Sequence, residues 1–462
     1  MITIAILDDG ICSSKFPSLG RIDGSIAVEE DGTIVQAEEP DQITHGTLCA
    51  AIIRSYAPDA KLISVKVLDP ATLKGSIHQI RYALEWCISQ NVSLINLSVG
   101  SVSFKDWELL RHAIAELTRK NIPLICACSN NETPSIFTEF TWPISVEKDS
   151  TLTEDQYYYQ NGNFFESDFR ASSTHTLLTS ENTIMTFSSQ NSHAAPVITA
   201  KVYQLLKEHG KLPIEKLRRL LRGDSTDISF HIKPIPDFMD TVIIIGQPQY
   251  PEDLCFFSRD ARRRPDSSVF LAFFPDSSFD VKQVKETINS YGNDILGVLY
   301  AGVAPREIKE IAYRMDCLFW DESEYIKNAA KLPPKSGGPT TINLLFRGDR
   351  VTAAQLAQSL QKKMISCGYC CQVFSDWPQA YCLGMLFLPP SVNRVSYINS
   401  FVAHYQLDVA LVCSDTIEAG YDMVLSCGDN FVLLEYDSSQ KKYWIEKSPV
   451  EQIAEDIFGI LI

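Results

Sequence analysis

The chain opens with Met1-Ile-Thr-Ile-Ala-Ile-Leu-Asp-Asp-Gly10, and this stretch points to the class of fold. Its run of apolar and β-branched residues predicts a buried strand, and the Asp-Asp-Gly that follows predicts a turn at the end of that strand. In parallel sheets, active sites lie at the carboxyl ends of the strands. Asp8 is therefore the first candidate functional residue.

The alternation of strand and helix continues outward from this stretch to about residue 225. Further strands are predicted at residues 62–68, 92–99 and 122–128, and helices at residues 45–55, 75–90, 107–120 and 192–208. Strands that alternate with helices indicate a parallel sheet covered by helices on both faces, so the predicted fold class is α/β. Residues 131–190, rich in Ser, Thr, Asn and aromatic residues, are predicted to be irregular.

Two smaller α/β units are predicted in the second half of the chain. Polar or proline-containing linkers at residues 223–240 and 333–339 separate residues 241–332 from residues 340–462. Each unit alternates strands with helices, as a small doubly wound sheet does. The predicted domains are thus residues 1–225, 241–332 and 340–462.

Composition and charge limit the partners. The chain has 462 residues, 45% of them hydrophobic and 21% charged, a balance typical of globular proteins. The formal net charge of −16 repels phosphate backbones, which disfavours nucleic acid, and it attracts cationic peptides. The sequence shows no signal-peptide pattern and no apolar run of the ~20 residues that a membrane helix needs, so we expect a cytoplasmic protein without a membrane partner. Thirteen cysteines, an odd number, fit reduced thiols.

Four side chains have the chemistry that peptide hydrolysis requires. That reaction needs a nucleophilic hydroxyl, a base that takes its proton, a carboxylate that orients the base, and donors for the oxyanion. His45 begins a predicted helix and can lean toward Asp8, while Ser192 lies at the start of another helix, where free N–H groups favour an oxyanion. Asn130 follows a predicted strand and offers a second oxyanion donor. We predict Asp8, His45 and Ser192 as the catalytic residues and Asn130 as the oxyanion donor.

The local motifs strengthen this interpretation. They are Ala5-Ile-Leu-Asp-Asp-Gly-Ile11, His45-Gly-Thr47, Ile95-Asn-Leu-Ser-Val-Gly100, Ser129-Asn130 and Ser192-His-Ala-Ala-Pro196. In sequence and in order, they resemble the aspartate, histidine, substrate-strand, asparagine and serine motifs of the subtilisin-like serine peptidases (S8 family, or subtilases). The resemblance covers about residues 1–210 and implies a subtilisin-like three-layer fold, serine endopeptidase activity, and substrate binding by Ser98, Val99 and Gly100.

Several positions depart from the family's pattern. Asp9 stands where Ser or Thr is usual, Ser129 replaces a glycine, Gln190-Asn191 replaces Gly-Thr, and His193 replaces a methionine. These changes affect the surroundings of the oxyanion and of the nucleophile. None of them removes a predicted catalytic group.

The predicted function is that of an intracellular serine endopeptidase that acts on a peptide or protein substrate. Because two further α/β units follow, we hypothesise a dedicated processing protease for a small natural-product precursor peptide, bound by the C-terminal units. The alternative is a catalytically silent scaffold that uses the same fold to bind peptides. No cofactor or metal is predicted. Calcium binding stays open without a mapped site, because the acidic loop at residues 29–41 is also typical of a solvated surface.

Two basic segments of the second half have alternative interpretations. Arg259-Asp-Ala-Arg-Arg-Arg264 is either a docking patch or a solvated surface. Arg347-Gly-Asp-Arg350 lies between a predicted strand and a predicted helix, where phosphate-binding loops occur, but it lacks both glycine-rich nucleotide motifs. A nucleotide-using enzyme in residues 340–462 is therefore a third hypothesis.

Overall fold

The computed structural model describes most of the chain in two compact units. The described residues are 2–100, 106–131, 134–160, 162–187, 189–223, 228, 230–259, 269–275, 280–333, 341–416 and 420–462. One unit consists of Met1–His231 with Ala312–Leu318, and the other of Ile232–Ile311 with Phe319–Ile462. Most of the predicted basic segment 259–264 and of the predicted linker 333–339 lies outside the described residues, as does part of the predicted linker 223–240. The division into three domains stays a prediction.

A nine-stranded sheet forms the centre of the first unit. Its strands are β1 (Thr3–Asp8), β2 (Gly24–Val28), β3 (Ile34–Gln36), β4 (Lys61–Lys66), β5 (Leu94–Leu97), β6 (Leu124–Ala127), β7 (Ile144–Lys148), β8 (Tyr157–Tyr159) and β9 (Phe169–Ala171). They lie in the order β3-β2-β4-β1-β5-β6-β7-β9-β8. The seven inner strands run parallel, and β3 and β8 pair antiparallel at the two edges. The predicted α/β fold with a parallel sheet is confirmed.

The prediction of irregular structure at residues 131–190 was wrong. This stretch contains β7, β8 and β9, together with a separate antiparallel ribbon of β10 (Thr176–Leu178) and β11 (Ile184–Thr186). These strands have only three to five residues. Such short segments do not develop a hydrophobic period that sequence reasoning can detect.

Helices of the first unit position the candidate residues. They are α1 (His45–Tyr56), α2 (Ile77–Ser89), α3 (Trp107–Lys120), α4 (Asn191–His209) and α5 (Ile214–Arg222). A capping box fixes the start of α1, because the Thr44 side chain accepts from the Thr47 backbone N–H and the Thr47 hydroxyl bonds the Thr44 N–H. Helices α1 and α4 pack against each other. The first residues of these two helices therefore share one region of the sheet edge.

A five-stranded sheet lies in the second unit. Its strands are β12 (Thr241–Gly246), β13 (Ser258–Arg259), β14 (Val269–Phe274), β15 (Ile295–Tyr300) and β16 (Leu318–Asp321), in the order β13-β12-β14-β15-β16. Helices α6 (Val281–Tyr291), α7 (Arg306–Arg314) and α8 (Glu322–Ala329) connect or follow these strands. Strand β14, Val-Phe-Leu-Ala-Phe-Phe, is buried at every residue, as a central parallel strand should be. Phe238, at the end of the predicted linker 223–240, packs against Phe270 of this strand with ring centroids 5.9 Å apart.

A seven-stranded sheet completes the second unit. Its strands are β17 (Ile342–Gly348), β18 (Cys371–Ser375), β19 (Leu386–Phe387), β20 (Val409–Cys413), β21 (Met423–Cys427), β22 (Phe431–Tyr436) and β23 (Ser439–Trp444), in the order β19-β18-β20-β17-β21-β22-β23. Helices α9 (Arg350–Ser366), α10 (Arg394–Tyr405) and α11 (Val450–Leu461) accompany it. The chain leaves β17 toward β18 on one side and later passes from β20 to β21 on the other side. The connections that leave the neighbouring strands β18 and β20 run in opposite directions, to β19 and to β21, as at the switch point of a doubly wound sheet.

The lengths and the apolarity of the helices bear on the prediction that the chain has no membrane helix. Among the described residues, no helix combines the length and the apolarity that crossing a bilayer requires.

Candidate active site

Asp8 is the last residue of β1, near the middle of the nine-stranded sheet. The strand lies between β4 and β5, and the Asp8 side chain is only 1% exposed. Its carboxylate lies 2.9 Å from His45 Nδ1 through each of its two oxygens. Because an ionised carboxylate only accepts hydrogen bonds, Nδ1 carries the proton. In the neutral imidazole, Nε2 is then left as the base.

Ser192 is the second residue of α4, in the first turn of the helix. It is 3% exposed, and its backbone carbonyl lies 3.5 Å from Cys49 Sγ, one turn along α1 from His45. The Ser192 hydroxyl has Gln190 Oε1 as its hydrogen-bond partner at 3.4 Å, and no bond to His45 is present in the described part of the chain. A bond of that length is weak, so rotation about the Cα–Cβ bond of Ser192 can redirect the hydroxyl at little cost.

Asn130 lies just beyond the carboxyl end of β6 and contacts the start of α4. Its Oδ1 accepts from the Asn191 backbone N–H at 2.8 Å. The Asn191 side chain in turn donates to the Ser129 carbonyl at 2.6 Å and accepts from the Lys148 N–H at 2.8 Å. With its oxygen engaged, Asn130 presents its amide NH₂ as the remaining donor group. Asn191 was noted in the sequence only as a departure, yet it joins the Asn130 loop to the helix that bears Ser192.

The comparisons with known proteins identify the family of the first half of the chain. A family model described as the subtilase family (Peptidase_S8) matches residues 1–233, just over half of the chain. The chain belongs to the subtilase family. The predicted subtilisin-like fold is thereby confirmed for the first half of the chain, and the model does not extend over the rest.

Individual relatives match shorter stretches. The major intracellular serine protease of Bacillus subtilis (strain 168) is 29% identical over 140 residues, which are 28% of this chain and 43% of that protein. The thermostable alkaline protease of Halalkalibacterium halodurans is 34% identical over 139 residues, 28% of this chain and 35% of that protein. The matches thus span less than half the length of either relative. Among solved structures, the epidermin leader peptide processing serine protease EpiP of Staphylococcus aureus is 15% identical, with a TM-score of 0.39, over 48% of this chain and 69% of that one.

Asp9, a departure from the subtilase pattern, binds the start of the helix that carries His45. Its Oδ2 accepts from the His45 backbone N–H at 3.1 Å and its Oδ1 from the Gly46 N–H at 2.8 Å. Burial, and then the neighbouring Asp8 carboxylate, raise the pKa of Asp9, while the two backbone N–H groups oppose the rise. Gly46 permits this approach, because a Cβ there would come within 2.6 Å of the Gly10 carbonyl oxygen. The sequence identified Asp9 only as an unusual residue.

His193, a second departure, stacks on the candidate base. Its ring lies 5.9 Å from that of His45 at an interplanar angle of 23°, and Phe187 lies 5.8 Å away on a tilted plane. The His193 carbonyl oxygen lies 3.1 Å from His175 Nε2. His193 therefore has a packing role at the site, which its position beside Ser192 did not reveal.

Cys49 lies beneath the Asp8–His45 pair. Its Sγ is 4.0 Å from His45 Nδ1. The Cys49 sulfur and, next among the groups that raise it, the Asp8 carboxylate increase the pKa of His45, whereas burial lowers it. Burial also raises the pKa of Cys49 itself, so the thiol is protonated at neutral pH and the Asp8 carboxylate is then the charge that favours the imidazolium.

In the predicted substrate-binding segment, Ser98 to Gly100, the Ser98 side chain is buried. The Ser98 hydroxyl accepts from Asn96 Nδ2 at 3.0 Å and donates to the Ser192 carbonyl at 3.4 Å. Val99 is half-buried and Gly100 is exposed. A Cβ at Gly100 would lie 2.2 Å from Ser135 Oγ, so a side chain cannot be accommodated without displacement. Ser98 and Gly100 thus offer no free side chain to a peptide, and Val99 is the residue of this segment whose side chain is partly accessible.

Side chains that could bind a metal ion lie close together around Asp8 and His45. Within the described ranges, the one group of three or more His, Cys, Asp or Glu residues whose ligand atoms approach one another closely is Asp8, His45 and Cys49, within 4.8 Å. In the acidic loop, the Glu39 carboxylate accepts from the Ser13 N–H at 3.0 Å and from its hydroxyl at 2.7 Å. Calcium binding by that loop is left as an untested hypothesis.

Proposed function

We propose that this chain is a serine endopeptidase with Asp8, His45 and Ser192 as its catalytic triad. The observation that carries the proposal is the double contact of His45 Nδ1 with the buried Asp8 carboxylate, 2.9 Å to each oxygen, beside the helix that bears Ser192. Membership of the subtilase family supports the same reaction.

The reaction follows from the roles of these groups. His45 Nε2 takes the proton of the Ser192 hydroxyl as its oxygen attacks the scissile carbonyl, and the Asp8 carboxylate stabilises the resulting imidazolium. The Ser192 backbone N–H and the Asn130 amide donate to the oxyanion. His45 then protonates the leaving amine, and water, activated in the same way, hydrolyses the acyl-enzyme.

Labelling with a fluorophosphonate probe tests the triad. The wild-type protein should be labelled at Ser192, and Ser192→Ala and His45→Ala should each abolish labelling. Ser89→Ala, which removes an exposed hydroxyl at the end of α2, is the matched control and should label normally. A wild-type protein that is not labelled, yet binds peptides, would instead support the catalytically silent scaffold.

We further propose that the substrate is a small precursor peptide that the second unit helps to recognise. The support is architectural, since residues 232–311 and 319–462 form a compact unit beyond the peptidase family match. The net charge of −16 favours a cationic peptide. These finer statements concern substrate choice and do not alter the triad.

Product analysis separates the two proposals. The full chain is incubated with unfolded casein and with a proteome-derived peptide library, and cleavage sites are identified by mass spectrometry with Ser192→Ala as the blank. A processing enzyme should cut a few related sequences. Extensive cleavage of casein would overturn dedicated processing and leave the endopeptidase proposal standing.

A further inference from the structure

We propose that Gln190 is a further catalytic residue, whose side-chain amide donates a hydrogen bond to the oxyanion during peptide hydrolysis. This role rests on the proposed serine endopeptidase function and adds a group to the four side chains that the sequence predicts. Gln190 directly precedes α4 and stands where the subtilase pattern has a glycine. The exchange places an amide beside the helix residue that carries the nucleophilic hydroxyl.

The Gln190 side chain contacts the reacting atom of the enzyme. Its Oε1 lies 3.4 Å from Ser192 Oγ, and this hydroxyl has no other hydrogen-bond partner among the described residues. Because a carboxamide carries its acceptor and its donor group on one carbon, the Gln190 NH₂ group also lies near Ser192 Oγ. In the described part of the chain, that NH₂ group has no acceptor. Its two N–H bonds are therefore available to a substrate.

Transfer of the hydroxyl proton changes which group of the amide can bind. In the free enzyme, the Ser192 O–H donates to the Gln190 oxygen. When His45 Nε2 takes this proton, Ser192 Oγ bonds to the substrate carbonyl carbon, and negative charge develops on the carbonyl oxygen. The Gln190 oxygen has then lost its donor and faces an anion. Rotation about the Cγ–Cδ bond of Gln190, a soft torsion, replaces this oxygen with the NH₂ group.

The second side-chain donor, Asn130, is held to the same short segment. Asn130 Oδ1 accepts at 2.8 Å from the backbone N–H of Asn191, the residue between Gln190 and Ser192. The two amides thus bond to neighbouring residues of the chain, one to Asn191 and the other to Ser192. Oxyanion donors act at about 2.7–3.1 Å from the oxygen. Since the oxyanion is only two bonds from Oγ, an amide that contacts Oγ can reach it.

Steady-state kinetics of the full-length protein test the role of Gln190. Gln190→Met replaces the amide with a thioether of similar length that has no N–H to donate. With a peptide substrate found by profiling, this variant should lower kcat by roughly tenfold or more and leave KM within about twofold, because the oxyanion forms only in the transition state. Gln90→Met, the same exchange at the exposed end of α2, is the matched control and should behave as the wild type does.

A second variant keeps the shape of the side chain. Gln190→Glu retains the acceptor and replaces the donor group with a further acceptor that carries charge, so kcat should fall more than in Gln190→Met. Circular dichroism verifies that each variant is folded. If Gln190→Met does not fold, Gln190→Glu decides between the outcomes.

Each remaining outcome overturns the proposed role. Equal kcat in the wild type and in either variant excludes a donor at the oxyanion. A higher KM with unchanged kcat would assign Gln190 to ground-state binding, and a higher kcat would mean that its oxygen restrains the Ser192 hydroxyl. In all these cases an active wild type leaves the triad standing. A wild type that neither cleaves peptides nor reacts with the fluorophosphonate overturns the endopeptidase proposal, and the role of Gln190 with it.

Discussion

The nine-stranded and the seven-stranded sheets each carry a pair of one acidic and one basic side chain at the carboxyl ends of their parallel strands. The two pairs differ in the basic side chain. At the nine-stranded sheet, Asp8 pairs with His45, and the nearby Ser192 hydroxyl has one weak partner. At the seven-stranded sheet, Asp376 pairs with Arg394 and accepts from the Ser414 hydroxyl at 2.6 Å. The first edge has a base that titrates, and the second has one that does not.

This difference determines what each edge can do. An imidazole gains and loses a proton near neutral pH, whereas a guanidinium stays charged. The Ser414 hydroxyl is also held by Arg394 at 3.1 Å, so it is not free to act as a nucleophile. The first edge is suited to proton transfer and the second only to binding.

Replacing the serine at each sheet edge, Ser192 or Ser414, should give the largest difference in peptidase kcat. Ser192→Ala should lower peptidase kcat by about 10⁴-fold or more, because the nucleophile is lost. Ser414→Ala should leave kcat within about twofold, since that hydroxyl takes no part in the reaction. Both are measured as hydrolysis of a peptide substrate found by profiling. Similar losses in the two variants would contradict the comparison.

Neutralising the carboxylate at each sheet edge, Asp8 or Asp376, should give the next largest difference in kcat. Asp8→Asn should lower kcat by roughly 10³–10⁴-fold, because an amide can stabilise the wrong imidazole tautomer and does not stabilise the imidazolium. Asp376→Asn should leave kcat unchanged. Steady-state kinetics on both variants, with circular dichroism to verify folding, distinguishes the two sites.

The dependence of activity and stability on pH should distinguish the edge with His45, which titrates, from the edge with Arg394, whose charge is permanent. Because the pKa of His45 is raised, kcat/KM should increase with pH through a value above 6.5, as the imidazolium loses its proton. The stability that the Asp8–His45 ion pair contributes has the opposite dependence on pH. It is fully present below pH 6.5 and is lost as pH rises through the folded-state pKa.

Melting temperatures of the wild type and His45→Gln, measured between pH 5 and pH 10, test this sign. The difference between them should shrink as pH rises while activity increases. The corresponding difference for Arg394→Gln should stay constant over the same range, because the guanidinium does not titrate there. A constant difference for His45→Gln would contradict the raised pKa.

The smallest expected effect concerns Asp9. Asp9→Ala should lower the free energy of unfolding by about 1–2 kcal/mol, because two N–H groups at the start of α1 lose their acceptor. Asp9→Asn should retain only part of that stability, since its amide oxygen accepts from one N–H while its NH₂ group, a donor, faces the other. Chemical denaturation compares the variants, and equal stability of Asp9→Ala and the wild type would exclude a capping role.

Regular elements with a clear hydrophobic period were predictable from the sequence. Helix α3 has the bounds that were predicted for it, residues 107–120, because its apolar spacing and terminal residues are local signals. Strand β5 is shorter than predicted, Leu94–Leu97 rather than residues 92–99, since the Val92 N–H bonds the Cys87 carbonyl at the end of α2. Strand β21, which joins the far side of β17, was not predicted.

The sequence by itself determined the family, the order of the candidate catalytic residues, and the α/β alternation that brings strand ends to one edge. Only the tertiary structure decided which groups touch: Asp9 with the start of α1, His193 with His45, Asn191 with the Asn130 loop, and Arg350 with Asp415. Most of these contacts join residues tens to more than a hundred positions apart. A local hydrophobic period carries no information about such pairs, because packing of the whole sheet and its helices determines them.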